Sequence, residues 1–401
     1  MKSPILIFIT MSCLVLSCSK YNTGHNECDA LDEFTSVVMV IPPFEQDDSE
    51  CQTKNEVHDV DTDPRYVWAE EDIVGIFPDE GSQVYFSMAS GAGQSYATFD
   101  GGGWALKKSN SYYSYFPFIP DFYIDKAAIP LTYQGQTQIG NGDANLANVG
   151  KYGYLVANGV ADSSTGSLRF EYQNIGLLFR VRIPVQAGTY KSLSLLTNES
   201  VISQSGTFNA IDISYEIENP VKTNRLTLDL ENVTFEQNGT LVAFMMLPPF
   251  DVLNQQLSFE LVNSENVTTI ASVRGRTYTR GIVSKNAPHF SISPSYVNLA
   301  SDSEDFSINV LASGTHVYSV SKDVDWLTLG SNPTNGTANV SVSVAKNTGG
   351  KRTGHITVSE TVNGVELKNV VNVTQYPDGF DVAITGWNDS DVDYGGVAQP
   401  S

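Results

Sequence analysis

Residues 176–183 read Gly-Leu-Leu-Phe-Arg-Val-Arg-Ile. From Phe179 to Ile183 apolar and charged residues alternate. In an extended chain successive side chains point to opposite faces, so Phe179, Val181 and Ile183 share one face while Arg180 and Arg182 share the other. This is a strand with an apolar face to bury. On either side of it, short apolar or alternating runs recur about every 8–15 residues, with Gly, Asn, Asp and Pro between them. Towards the N-terminus they are VGIFP (74–78), VYFSM (84–88), YATF (96–99), YYSYFPF (112–118), GYLVA (153–157) and LRFEY (168–172). Towards the C-terminus they are LSLLT (193–197), RLTLDL (225–230), LVAFMML (241–247) and LSFELV (257–262). The run FTSVVMVIPPF (34–44) reads as a first strand ended by Pro42 and Pro43, and the acidic stretch 45–66 reads as a loop. No stretch after the N-terminal segment keeps a 3.6-residue apolar period for three turns. The expected fold is all-β and built from sandwiches.

The texture changes from about Phe290 to Tyr376, where strands shorten and Ser, Thr, Val and Asn dominate. YVNLA, FSINVL, HVYSV, WLTL, NVSVSV, GHITVSE and VELKNVVNVTQ are candidate strands of an immunoglobulin-like sandwich. Asn286 to Ser295 reads as a linker, limited by Pro288 and Pro294. FDVAITGW (380–387) is one more alternating strand before a polar tail.

The first twenty residues carry a different signal. Lys2 precedes an apolar run from Ile5 to Leu16, followed by Ser17-Cys18. A run of a dozen residues is too short to span a bilayer, which needs roughly 20. It reads as a signal peptide whose cleavage leaves Cys18 acylated, with Cys13 as the rival attachment site. Residues 19–33 would be a polar leash. The formal charge of −22 repels phosphate backbones, so nucleic acid is not an expected partner. Cys28 and Cys51 are left after maturation and can pair in an oxidising compartment.

Two resemblances follow from the motifs. Trp68-Ala-Glu-Glu-Asp72-Ile-Val-Gly75-Ile-Phe77 resembles the W-x(3)-D-x-x-G-hydrophobic-F signature of Bacteroidetes fimbrillin-like proteins. Tyr112-Tyr113-Ser-Tyr115-Phe116-Pro117 is similar to their Y-x-A-Y-Y-P segment, with Ser114 in place of alanine. Phe170 to Phe179 resembles the F-x-N-x-x-G-L-L strand that opens their second domain, and Gly275-Arg276-Thr-Tyr278 the G-x-x-Y near its end. Separately, Pro294, Asp325-Trp326-Leu327, Asn347, Arg352-Thr-Gly354-His-Ile356 and Val373-Thr-Gln375 resemble a BACON module, named for a suspected carbohydrate-binding role. Together these imply two tandem fimbrillin-type, transthyretin-like β-sandwich domains followed by an immunoglobulin-like BACON sandwich. The expected divisions are 1–18 signal peptide, 19–33 leash, 34–174 and 175–287 for the two domains, 290–377 for the BACON-like domain, and 378–401 for a terminal strand and tail.

No arrangement suited to catalysis, metal binding or a cofactor stands out. The five histidines are scattered without ligand spacing. Gly91-Ala92-Gly93 and Gly101-Gly102-Gly103 precede no Lys-Ser/Thr pair and fail the phosphate-loop requirement. Asn141-Gly-Asp143-Ala-Asn145 starts like a calcium loop, but Leu146 and Tyr152 stand where Gly and Glu are needed. Adjacent carboxylates such as Glu70-Glu71-Asp72 point to opposite faces of a strand, unlike the pair that glycoside hydrolysis needs. The chain is therefore not expected to be an enzyme.

The fimbrillin resemblance implies a fimbrial, type V-like pilin or accessory or tip subunit acting in surface adhesion. Its partners would be other pilin subunits or itself, joined by donor-strand β-augmentation. Residues 34–44 would be the strand removed, after cleavage at Arg65 or alternatively Lys54, and Phe380, Val382 and Ile384 the apolar face of the donor. The appended BACON-like module suits an accessory or tip role. The location implied is the bacterial outer membrane, at the cell surface and lipid-anchored. The alternative is an outer-membrane glycan-binding lipoprotein of a saccharide uptake system, with Tyr113, Tyr115 and Trp326 as glycan contacts.

Overall fold

The alternating run around Phe179 forms the strand Leu177–Val185. It pairs antiparallel with Gly239–Leu247 and parallel with Ile282–Asn286. Phe179, Val181 and Ile183 enter the largest core, while the Arg180 guanidinium lies 5.8 Å from the centroid of the Phe244 ring. Arg180 is itself buried. The computed structural model describes residues 33–43, 45–46, 66–121, 123–142, 146–162, 167–213, 215–302 and 304–378. These residues form an all-β protein with three hydrophobic cores and one short helix, Ala147–Gly150. No helix among them is long and apolar enough to cross a membrane.

The first core lies inside a closed circuit of strands. In order they are Ser36–Val40, Tyr96–Asp100, Val84–Ser90, Ile73–Pro78, Tyr112–Phe116, Leu155–Asp162 and Ser167–Glu171, and the last pairs back onto the first. Closure leaves no free edge in this circuit, which removes the usual hazard of exposed strand edges. Trp68 sits inside, edge-on to Phe99, Phe116 and Tyr172 at 4.8, 5.5 and 5.6 Å between ring centroids.

The second unit departs from the boundary expected at 174/175. Ile129–Thr132 pairs with Ile202–Phe208, and Gln136–Ile139 runs parallel to Arg225–Phe235. Ile129, Leu131 and Tyr133 belong to the second core. The stretch around Gln136 and Gln138 has no apolar run to announce a strand. It is held instead by side-chain amides that copy strand pairing. Gln136 accepts from the Met246 N–H at 2.8 Å and donates to its carbonyl at 2.7 Å. Gln138 accepts from Phe244 N–H at 2.8 Å and donates to the Val242 carbonyl at 2.9 Å.

The third unit is a two-sheet sandwich around its own core. One sheet holds Tyr296–Leu299, Val365–Gln375, Arg352–Val362 and Ser319–Lys322. The other holds Phe290–Ser293, Phe306–Ala312, Ala338–Val344 and Leu327–Leu329. The expected linker 286–295 is thus corrected. Phe290–Ser293 is a buried strand that also pairs with Thr268–Arg274 of the second unit, so one nine-stranded sheet runs through both. The acidic stretch 45–66 likewise begins with a short strand, Glu45–Gln46, parallel to Ile282–Asn286.

Candidate functional site

Ser36–Val40 is the first strand of the closed circuit and is bonded along both edges. It runs antiparallel to Tyr96–Asp100, with Val37 opposite Phe99 and Met39 opposite Ala97. On its other edge it runs parallel to Ser167–Glu171, with Val37 opposite Leu168 and Met39 opposite Phe170. Backbone bonds extend the ladder beyond the strand: Gly101 N–H donates to Thr35 at 3.1 Å, Ile41 N–H to Ser95 at 2.8 Å, and Tyr172 N–H to Val40 at 2.9 Å. Val37, Met39 and Ile41 alternate inward and all three are buried in the first core. Phe34, just before the strand, meets Tyr112 edge-on at 5.8 Å.

The energetics explain why such a strand is significant. Burying three apolar side chains of this size contributes about 1.5–3 kcal/mol each. The ladder bonds add about 1 kcal/mol each. The sum is comparable with the whole stability of a domain, about 5–15 kcal/mol. A circuit without this strand would expose an apolar groove and two unpaired edges, and only another strand has the geometry to fill both needs.

Cys18, Arg65 and the donor residues Phe380, Val382 and Ile384 lie outside the described residues, as do Cys28 and Cys51. The aromatic residues fall within them. Tyr113 and Tyr115 do share a face, but that face packs on the second core. Tyr115 is 0% exposed, stacked on Phe77 at 5.9 Å, and its hydroxyl donates to Gln83 Oε1 at 2.6 Å. Burial pushes its phenol up to about 12. The expectation that it offers a sugar platform is corrected, because the second unit covers the face that alternation turned outward. Tyr113 is half-buried with the Lys126 ammonium 5.4 Å from its ring centroid. Trp326 belongs to the third unit, apart from the tyrosines. It is half-buried, packs on the third core, and carries the Arg352 guanidinium 4.5 Å from its ring centroid.

Three of the BACON-like motif residues, Asn347, Arg352 and Gln375, form a structural clamp at one end of the sandwich, while Leu327, Ile356 and Val373 fill the third core. Arg352 Nε and Nη2 donate to Gln375 Oε1 at 2.9 and 2.6 Å, and the Gln375 amide donates to the Ser301 carbonyl at 3.2 Å. Asn347 donates from its amide to the carbonyls of Gly350 at 2.9 Å and Tyr376 at 3.2 Å. Sequence spacing gave no sign that these residues meet.

Sequence reading also missed a groove on the sheet of Tyr296–Leu299, Val365–Gln375 and Arg352–Val362, lined by Tyr296, Asn298, Thr353, His355, Asn372 and Thr374. His355 Nδ1 lies 2.6 Å from Asp323 Oδ2, and its backbone N–H donates to Asp323 Oδ1 at 2.7 Å. Desolvation raises the Asp323 carboxyl, but these bonds from His355 outweigh it and hold the acid below its ordinary range. The groove offers hydroxyl, amide and imidazole groups to a polar ligand.

A family model matches residues 316–376, the BACON model described as "Putative binding domain, N-terminal". No curated protein matches the sequence. Three solved structures are similar in part. A Bacteroides ovatus GH5 xyloglucanase in complex with a heptasaccharide is 19% identical over 21% of this chain, which spans 17% of the length of that enzyme, with a TM-score of 0.18. A structure of a "putative cell adhesion protein" from Bacteroides ovatus is 12% identical over 63% of this chain and 90% of its own, with a TM-score of 0.40. Another of the same description from Bacteroides thetaiotaomicron is 12% identical over 64% of this chain and 92% of its own, with a TM-score of 0.30.

Proposed function

We propose that this chain is a surface adhesion subunit, of the accessory or tip kind in a fimbrium, which joins its neighbours by strand exchange at the position of Ser36–Val40. The observation that carries this reading is the placement of that strand. It is near one end of the described chain, bonded on both edges, and fills the first core with Val37, Met39 and Ile41. Such a strand can leave after one cut in the segment that follows it, and Arg65 offers a site just before Tyr66. The segment 380–387 alternates Phe380, Val382 and Ile384, which matches the inward spacing of Val37, Met39 and Ile41. On this reading Cys18 delivers the chain to the outer membrane as a lipoprotein, and the third unit is the exposed part that favours a tip or accessory position.

The test uses a chain beginning at Tyr66. It is expected to form stable polymers, and the triple substitution Phe380→Asp, Val382→Asp, Ile384→Asp is expected to abolish them. Size-exclusion chromatography reads both outcomes. A truncated chain that stays folded and monomeric, or polymers indifferent to the triple substitution, would overturn the proposal.

A further inference from the structure

The second and third units share more than a sheet edge. Phe290–Ser293 serves both at once. Phe290 and Ile292 fill the third core, while the Ser291 hydroxyl donates to the Pro184 carbonyl of the second unit and the Ser293 hydroxyl donates to the Thr268 carbonyl at 3.5 Å. Its backbone pairs with Thr268–Arg274 on one side, at Ile270–Ile292 and Ala271–Ser291, and with Phe306–Ala312 on the other. Ile270 of the second unit packs on the third core in return.

Around this strand lies a set of cross-unit polar contacts. The Gln256 amide acts as a surrogate strand, accepting from Lys368 N–H at 2.6 Å and donating to the Lys368 carbonyl at 2.9 Å. The buried Ser272 hydroxyl donates to Asn369 Oδ1 at 2.6 Å, and Asn369 is buried as well. Ser295 donates from its backbone to the Thr268 carbonyl at 2.9 Å and from its hydroxyl to Thr268 Oγ1 at 2.6 Å.

Domains of one chain ordinarily move against each other unless their interface is extensive. Here any hinge motion would break a continuous backbone ladder and strand buried donors and acceptors without partners, each at the full cost of desolvation. We propose that the second and third units are one rigid, cooperatively folding block, spliced by Phe290–Ser293 and the Gln256–Lys368 and Ser272–Asn369 contacts. The third unit does not pivot. The groove at His355 is held at a fixed angle to the second unit, and neither unit opens while the other stays closed. This inference does not depend on strand exchange, which concerns the first core.

Hydrogen exchange on the full chain across a urea series tests it. Peptides from 256–274, 290–312 and 352–375 are expected to lose protection together. Gln256→Ala is expected to speed exchange in both 256–274 and 352–375 by roughly tenfold, while peptides around Ser36–Val40 stay unchanged. Opening of the third unit at lower urea than 256–274 in the native chain would overturn the proposal. So would a Gln256→Ala effect confined to 256–274. If that variant does not fold, the native series decides alone.

Discussion

Gly75 sits opposite Tyr115 across adjacent strands. A Cβ there would lie 2.7 Å from Tyr115 Cζ and 2.9 Å from Gln83 Oε1, so the ring and the amide that holds it would both have to move. The motif glycine is thus a matter of space. The neighbouring motif residues have equally local reasons. Asp72 accepts from the Ala69 N–H at 2.7 Å and closes the turn that delivers Trp68 into the core. Ser114 donates to the Gly75 carbonyl at 2.9 Å and meets the Tyr172 hydroxyl at 2.5 Å. Gly75→Ala is expected to cost about 1–3 kcal/mol through overpacking, read as a lower urea midpoint with an unchanged slope.

At the scale of the element, Ser36–Val40 has two unlike faces. Met39 is fully buried among aromatic and aliphatic side chains, whereas Val38 is half-buried on the outer side. Met39→Ala is expected to destabilise the full chain by about 2–5 kcal/mol, the usual cost of a large core truncation. Val38→Thr is expected to stay within about 0.5 kcal/mol, as for an outward position. Equal effects in urea melts would mean that the strand is not held by its inner face. That this segment extends was legible from its apolar run, but which face turns inward was not, because Val37 to Ile41 are all apolar. Nor was its parallel partner, 167–171, because more than a hundred residues separate them and no local pattern encodes which edges meet.

The whole molecule carries a titration signature through its tyrosines. Burial raises the Tyr115 phenol to about 12, and burial also raises Tyr172 and Tyr133, the latter with a smaller contribution from Tyr154. A phenol raised in the folded state stays neutral there after its unfolded counterpart has ionised. Its stability contribution is therefore fully present below pH about 10 and declines as pH rises towards and past 12. These residues span the first and second cores, so alkaline unfolding is expected to coincide with a late step in phenolate absorbance. Smooth titration of every tyrosine near 10, with the fold intact, would contradict this.

Where the chain extends is written in its local sequence. The runs at 74–78, 96–99, 225–230 and 241–247 all lie in strands, and the third unit stands where the change of texture begins. Those features are local, fixed by the two-residue period of an extended chain. What covers the outward faces came from the tertiary fold. It buried Tyr115 under the second unit, turned the 286–295 linker into a shared strand, drew 129–139 across the expected boundary, and gathered Asn347, Arg352 and Gln375 into one clamp. Each of these depends on contacts between residues distant in the chain, where pairing partner and second layer follow from packing and not from periodicity.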